Sequence, residues 1–529
     1  MGRKKKRENK KQKNPLQLKE AVHSRIGIIG WNSPRFLESH SQFMEALKTN
    51  IASCDLAPVF FGISGSLDQL DLTVSNGQKK SSHASLPLFY HLPSRDMAAD
   101  QIEMIACEER LAGLVMIPWS INSLVGMLMA TVRSGLPAVF MPSYSSWNRL
   151  YNGSSAAENA ENKEASFLGL PYSSCSMLLL LEVFGLAKMG SLEKIIKQEA
   201  LALSEDLNES AKWCGQRIFE MVKQKVSVRR FFSEASIHNA IAVDMSLGGS
   251  SETVLHLAAL AQEAGVPLPL ATFSQFSKVP QLIGMDRSGN LSLAEFEKCG
   301  GLAPLLSALY SFLKPSPTVM GKNIVDIAKA SHEMRSSFKV NNPVKKYGGL
   351  KILYGSLAKE GALFRVSALK ENWLSYSGKV KVFNSQAACI EAVLNKKIKK
   401  GEILAVRYAG PRGTPGMPAL EGLKAALSTM DLEEDVAILT DGRMPNSGKT
   451  PVISHICPEA AVGGAFSILE DGDTIIWNFL EGTLTARLTE TEIKVRLSRW
   501  KAQTSEPKNS LLHRYLKHVS STVQGAKLI

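Results

Sequence analysis

The stretch LGGSSETVLHLAALAQEAG (247–265) sets two glycines and two serines at the head of a helical run with Val254, Leu257, Ala258 and Ala261 on one face. Glycines let backbone N–H groups approach a ligand closely, and a helix N-terminus carries partial positive charge, so a carboxylate or phosphate fits there. Gly248, Gly249, Ser250 and Ser251 are therefore the candidate substrate- or anion-binding residues. The structural alternative is an N-cap, with Ser250 or Ser251 bonding N–H groups of the first turn. In SHICPEAAVGG (454–464), Pro458 suits a first helical turn, Glu459 complements a helix dipole, and Gly463 and Gly464 permit tight packing. His455, flanked by Ile453 and Ile456, reads as a packed, hydrogen-bonded histidine. Seven cysteines (Cys54, Cys107, Cys175, Cys214, Cys299, Cys389, Cys457) are scattered without a CxxC pair. That pattern fits a reducing cytosol and argues against a disulfide framework or a structural zinc site.

RIGIIG (25–30), APVFFGIS (57–64), LAGLVMIP (111–118) and PAVFMP (137–142) read as buried strands. Residues 36–50 and GMLMATVRSG (126–135) read as helices between them. Strands alternating with helices imply a parallel sheet covered on both faces. A mostly helical segment follows over about 172–330, with a long stretch near 193–225, and the Pro-, Gly-, Ser- and Lys-bearing segment 316–349 reads as the interdomain crossing. Beyond it, short β-rich runs separated by glycine turns imply a closed or nearly closed barrel, with SQAACIEAVLNKK (385–397) helical among them. At 529 residues the chain exceeds one core. The expected domains are a basic tail (1–20), an N-terminal α/β domain with a helical segment (21–335) and a C-terminal β-barrel domain of swivelling type (336–529).

The net charge of +13 is uneven: residues 1–13 hold eight Lys or Arg and one Glu, leaving about +6 for the rest. The tail reads as a solvated extension; the sharper alternative is contact with nucleic acid or an anionic surface through clustered Lys and Arg. No apolar run reaches the length of a transmembrane helix, and the N-terminus has no apolar core of a signal peptide, so the expected location is the cytoplasm.

WSINSLVGMLMA (119–130), LGGSSETV, GPRGTPGMPAL (410–420), LTDGRM and ICPEAAVGG, in this order, resemble the dihydroxy-acid dehydratase/phosphogluconate dehydratase family. Further matches are LPSRDMAAD (92–100), TVMGKN (318–323) and much of the barrel, so the resemblance covers about residues 25–528. It implies an α/β domain, a β-barrel and a substrate cleft between them. It also implies hydro-lyase chemistry that removes water from dihydroxy or sugar acids with an iron–sulfur cluster and Mg²⁺, and a homodimer.

The positions that carry this chemistry in the family are altered. Its three cluster cysteines fall on Leu37, Ser120 and Leu168. Its Mg²⁺ ligands fall on Asn76, Ile121, Asn122 (for a carbamoylated Lys) and Ala419; its reactive Ser falls on Pro445, with Ser447 able to shift into place. Leucine has no lone pair for iron, one nearby thiol (Cys175) cannot hold a cluster, and Mg²⁺ needs hard oxygen ligands. The sequence thus reads as a degenerate dehydratase scaffold with no cofactor, no metal ligands and unknown catalytic residues, binding at most a small organic acid. The competing readings are an active hydro-lyase with rearranged ligands and a partner-binding protein that uses its basic tail.

Overall fold

The first strand, β1 (Ser24–Trp31), forms from an unbroken apolar run, and its Ile26, Ile28 and Ile29 are wholly buried. In the computed structural model, which describes residues 24–65, 89–142, 172–191, 203–284, 296, 299–333, 338, 340–366, 369–444, 449–503, 507 and 510–529, it is central to a four-stranded parallel sheet. Its partners are β2 (Leu56–Ile63) and β3 (Gly113–Met116), and β4 (Ala138–Phe140) pairs with β3, giving the order β2-β1-β3-β4. Parallel neighbours require crossovers. These are α1 (Pro34–Ala52), α2 (His91–Glu108) and α3 (Ile121–Ser134). The strands and the helices before β2 and β4 lie where the apolar runs placed them. Helix α2 was legible only as a motif match, because its first half is buried on nearly every face and shows no helical stripe. The basic tail, Asn76, Leu168, Pro445 and Ser447 lie outside the described residues.

A helical layer follows: α4 (Tyr172–Val183), α5 (Leu203–Lys223), α6 (Glu234–Leu247) and α7 (Ser251–Ala264). Helix α5 lies against α1, while α7 lies against α3.

The C-terminal half is a closed eight-stranded barrel in the order β10-β6-β5-β12-β11-β7-β8-β9. Its strands are β5 (Leu350–Gly355), β6 (Ala358–Arg365), β7 (Ser375–Phe383), β8 (Ile403–Val406), β9 (Ala437–Thr440), β10 (Val452–Cys457), β11 (Thr474–Asn478) and β12 (Thr483–Ala486). Closure leaves no open edge. Phe364, Val380, Ile403, Leu439, Ile475 and Trp477 fill the core, and Trp477 donates its indole N–H to the Trp373 carbonyl at 2.7 Å. The parallel steps β7-β8-β9 are bridged by α8 (Gln386–Leu394), as read from the sequence, and by α9 (Glu421–Thr429), which was not.

The halves are joined by packing as well as by chain. Leu350, Ile352 and Leu363 of the barrel belong to the same apolar cluster as the parallel sheet. The last residues return to the N-terminal half: Leu92, Leu255, Met417, Tyr515, Val519 and Ala526 form one buried cluster. Arg95, fully buried on α2, donates to the carbonyls of Gly525 (3.0 Å) and Ala526 (2.9 Å) and pairs with Asp96 (2.9 Å), which accepts the Leu528 N–H. Among the described residues no helix is long and apolar enough to cross a membrane.

Candidate functional site

The Gly-Gly-Ser-Ser turn is where α6 ends and α7 begins. Gly248 closes α6 in a left-handed conformation, its N–H and that of Gly249 bonding carbonyls of Met245 and Asp244. Ser250 is the N-cap of α7: its hydroxyl accepts the Thr253 N–H at 3.3 Å, and its own N–H donates to the Asp244 carboxylate at 3.0 Å. All four residues, Gly248 to Ser251, are buried. The glycines answer a packing need. A Cβ on Gly249 would lie 2.8 Å from the Leu350 Cβ, and one on Gly349 would lie 1.8 Å from the Gly248 oxygen. The backbone of the turn thus abuts the strand that opens the barrel, and its N–H groups at 248–250 already have protein acceptors.

What the turn positions is the next side chain. Glu252, in the first turn of α7, accepts from Arg443 Nη1 at 3.0 Å through one carboxylate oxygen. Arg443 follows β9 and is buried; its Nε donates to the Met417 carbonyl at 2.6 Å. The second oxygen of Glu252, Nη2 of Arg443 and Nε2 of His455 are buried without a hydrogen-bond partner among the described residues. His455 sits in a bulge of β10 with a left-handed backbone (φ 52°), anchored by its N–H to the Gly442 carbonyl. Burial, with the Arg443 charge adding to it, pushes its imidazole down to about 3, so it is neutral. His256 of α7 is held well below its usual range by burial and by Arg95, Arg443 and His455. Arg443, Glu252, His455 and His256 therefore form one electrostatic neighbourhood spanning both halves. Three buried polar atoms seeking partners are unusual enough to mark a place for a ligand or ordered water.

Behind Arg443 lies a second buried group that the sequence reading did not identify as a pair. Asp441 accepts N–H bonds from Tyr408 (3.2 Å), Ala409 (2.9 Å) and Ala460 (2.9 Å), yet burial raises it to about 6. Glu459 accepts from the N–H groups of Arg412 and Gly413, and burial followed by the nearby Asp441 charge pushes it to about 8. The signal for it was an acid in each of two motifs, LTDGRM and CPEAAVGG; only tertiary structure brings the two together.

The altered family positions can be tested one by one. Leu37 lies on α1 and is 41% exposed. Ser120 is buried and caps α3 in a reciprocal box: its hydroxyl accepts the Ser123 N–H (3.1 Å) and its N–H donates to the Ser123 hydroxyl (2.8 Å). Ile121 is buried, the Asn122 carbonyl oxygen is buried with no partner among the described residues, and Ala419 bridges the Arg443 backbone. These residues do not fit an iron–sulfur cluster or a Mg²⁺ ion: a solvent-facing leucine, a capping hydroxyl, an isoleucine and an alanine offer no thiolate and no carboxylate. Among the described residues, no group of three or more His, Cys, Asp or Glu is placed to hold a metal.

Comparison with known families matches residues 37–327 to the description "dihydroxy-acid/6-phosphogluconate dehydratase N-terminal" and residues 338–526 to its C-terminal counterpart. The chain is similar to the dihydroxy-acid dehydratase of Thermodesulfovibrio yellowstonii, 32% identical over 500 residues, 89% of this chain and 88% of that one. It is 34% identical over 468 residues to that of Endomicrobium trichonymphae (83% and 84%). It is 30% identical over 507 residues to that of Archaeoglobus fulgidus (92% and 90%).

Proposed function

The chain belongs to the dihydroxy-acid/6-phosphogluconate dehydratase family, and we propose that it is a member that binds a small hydroxy acid without carrying out cluster-dependent dehydration. The observation that carries the reading is Ser120. At a position where the family resemblance calls for a cluster thiolate, its hydroxyl instead caps α3. Ile121 and Ala419 add nothing that could ligate a hard cation.

The name of the relatives, dihydroxy-acid dehydratase, supplies the ligand class. A dihydroxy acid brings a carboxylate, which accepts, and hydroxyls, which donate. Arg443 Nη2 offers a donor and the free oxygen of Glu252 an acceptor; neutral His455 offers either, according to tautomer. The Gly248–Ser251 turn holds Glu252 in place and sets the positive end of α7 beside it. Glu252 also neutralises Arg443, so the acid is bound weakly.

The test has two arms. Protein purified anaerobically is assayed for iron and acid-labile sulfide; the expected content is none, and about two or more irons per chain would overturn the reading. The protein is then titrated with a panel of dihydroxy and sugar acids, following thermal shift and 2-keto acid product. The expected outcome is a small shift without turnover, enlarged in Glu252→Asn, which releases Arg443. Keto acid formed at enzyme-like rates refutes the loss of chemistry, and a flat shift in both proteins refutes the binding site.

A further inference from the structure

A cavity of about 500 Å³ opens on the N-terminal half, away from the residues discussed above, between α5, the 3-10 turn Val228–Phe231 and the loop around TVMGKN (318–323). Its size is that of a small-molecule site. Among the described residues three cations line it, Arg217, Arg230 and Lys322, each from a different segment, and no carboxylate does. Glu220 pairs with Nη1 of Arg217, but Nε of Arg217 is buried without a hydrogen-bond partner among the described residues. Among the described residues neither Arg230 nor Lys322 has an ion pair; Arg230 rests on the Phe231 ring at 5.9 Å. A guanidinium that lines the cavity and has one N–H buried without an acceptor among the described residues, beside two more cations, points to an anionic ligand rather than to an empty crevice.

The wall is fixed before any ligand arrives. The loop closes on itself through Thr318 N–H to the Lys322 carbonyl (3.1 Å), Thr318 Oγ1 to the same carbonyl (2.7 Å) and Gly321 N–H to the Thr318 carbonyl (3.1 Å). It is tied to the core by Val319 N–H to the Gly185 carbonyl (2.7 Å) and by Asn239 to the Ser316 hydroxyl (3.1 Å). Arg230 stands on a turn capped by Ser227, and Arg217 on a helix of 21 residues. A backbone already held in place lowers the ordering cost of binding.

We propose that this cavity is a binding site for a phosphate-bearing small molecule, with Arg217 supplying the buried donor and Arg230 and Lys322 closing on the remaining oxygens. Guanidinium forks match phosphate oxygens in pairs, which a lone ammonium does not. The site is separate from the Arg443–Glu252 neighbourhood and does not rest on the function proposed for it.

The full chain is titrated calorimetrically at low ionic strength with inorganic phosphate and glucose 6-phosphate, with glucose as the neutral control. Both phosphates bind saturably and glucose does not. Affinity falls by about tenfold or more in the double variant R230Q/K322Q, since two charge-assisted bonds are removed from exposed side chains. Hydrogen exchange on the unaltered protein shows bound-state protection concentrated in residues 316–323. Absence of saturable binding, equal affinity in R230Q/K322Q, or protection confined to other segments each overturns the proposal.

Discussion

Replacing Glu459 by Gln tests the buried acid pair. In the folded chain Glu459 is almost fully buried and titrates at about 8, because burial and the neighbouring Asp441 disfavour its ionised form. An unfolded glutamate titrates near its ordinary value of about 4.3. The folded state therefore holds a proton that the unfolded state releases, and stability must fall as pH rises through this window. The contribution is complete below the unfolded value and is lost by the folded one. Asp441 and Asp244, both raised to about 6 by burial, act the same way but finish lower. Between pH 6 and 8 the Glu459 contribution works against that of His256 and His455, which are neutral when folded but in the unfolded chain lose their protons near about 6.5, so the difference between the two proteins is what isolates Glu459. At about 1.36 kcal/mol per unit, two units remove about 3 kcal/mol. Glutamine keeps an acceptor for the Arg412 and Gly413 N–H groups and does not titrate. Thermal midpoints of the two proteins, measured every half unit from pH 5.5 to 8.5, should diverge. From pH 6 to 8 the unaltered chain loses about 3 kcal/mol relative to the variant, and the variant is the more stable at pH 8. Parallel profiles would refute the shared burial of Glu459 and Asp441 as the source of the shift.

Two further substitutions probe the contacts that join the halves. Gly249→Ala should cost about 2–4 kcal/mol, from a left-handed backbone (φ 68°) and a Cβ 2.8 Å from Leu350. Gly265→Ala, with a similar φ of 66° but nothing within 4 Å, should cost only about 1 kcal/mol; equal drops in midpoint would exclude the close approach as the cause. Arg95→Met leaves the Asp96 carboxylate buried without its cation and takes the donor from the Gly525 carbonyl, while the Ala526 carbonyl keeps the Tyr515 hydroxyl; it should cost about 3–5 kcal/mol. Brief trypsin treatment should then clip the C-terminal end first, and an unchanged midpoint with an intact C-terminus would count against the contact.

The parallel sheet was legible because its strands are short apolar runs bounded by turn residues, and the barrel because glycine turns separate its β-rich segments. Helix α2 and helix α9 were not, since one is buried around most of its circumference and the other carries Gly422 in its first turn and follows the Gly- and Pro-rich run 410–418. At the turn 248–251 the capping alternative was readable in the serines, and Ser250 is that cap. The apposition of Gly249 to Leu350 was not, because it joins residues about a hundred positions apart. The substitutions Leu37, Ser120, Ile121 and Ala419 could be named from motif order. Their local roles, a solvent-facing side chain, a capping box and a bridge to Arg443, needed coordinates. His455 read as a packed, hydrogen-bonded histidine; it is packed, but its Nε2 finds no partner among the described residues. The Arg443–Glu252 pair was invisible for the usual reason: charge pairs 191 residues apart leave no trace in spacing.

The return of the C-terminus to α2 has a consequence for how the molecule is made. Arg95 meets its carbonyl partners 430 residues later in the chain. At about 5–20 residues per second of synthesis, that interval is roughly 20–90 seconds. During it, Arg95 has Asp96 and later His256 beside it but not the Gly525 and Ala526 carbonyls, so this contact between the halves forms only after synthesis has reached them. Premature termination anywhere in the barrel, or even within the last turn, would leave the earliest-made part of the chain incomplete. Such fragments would expose Leu92 and Leu255, which the returning segment covers, and would be bound by chaperones even where their own sheet is intact.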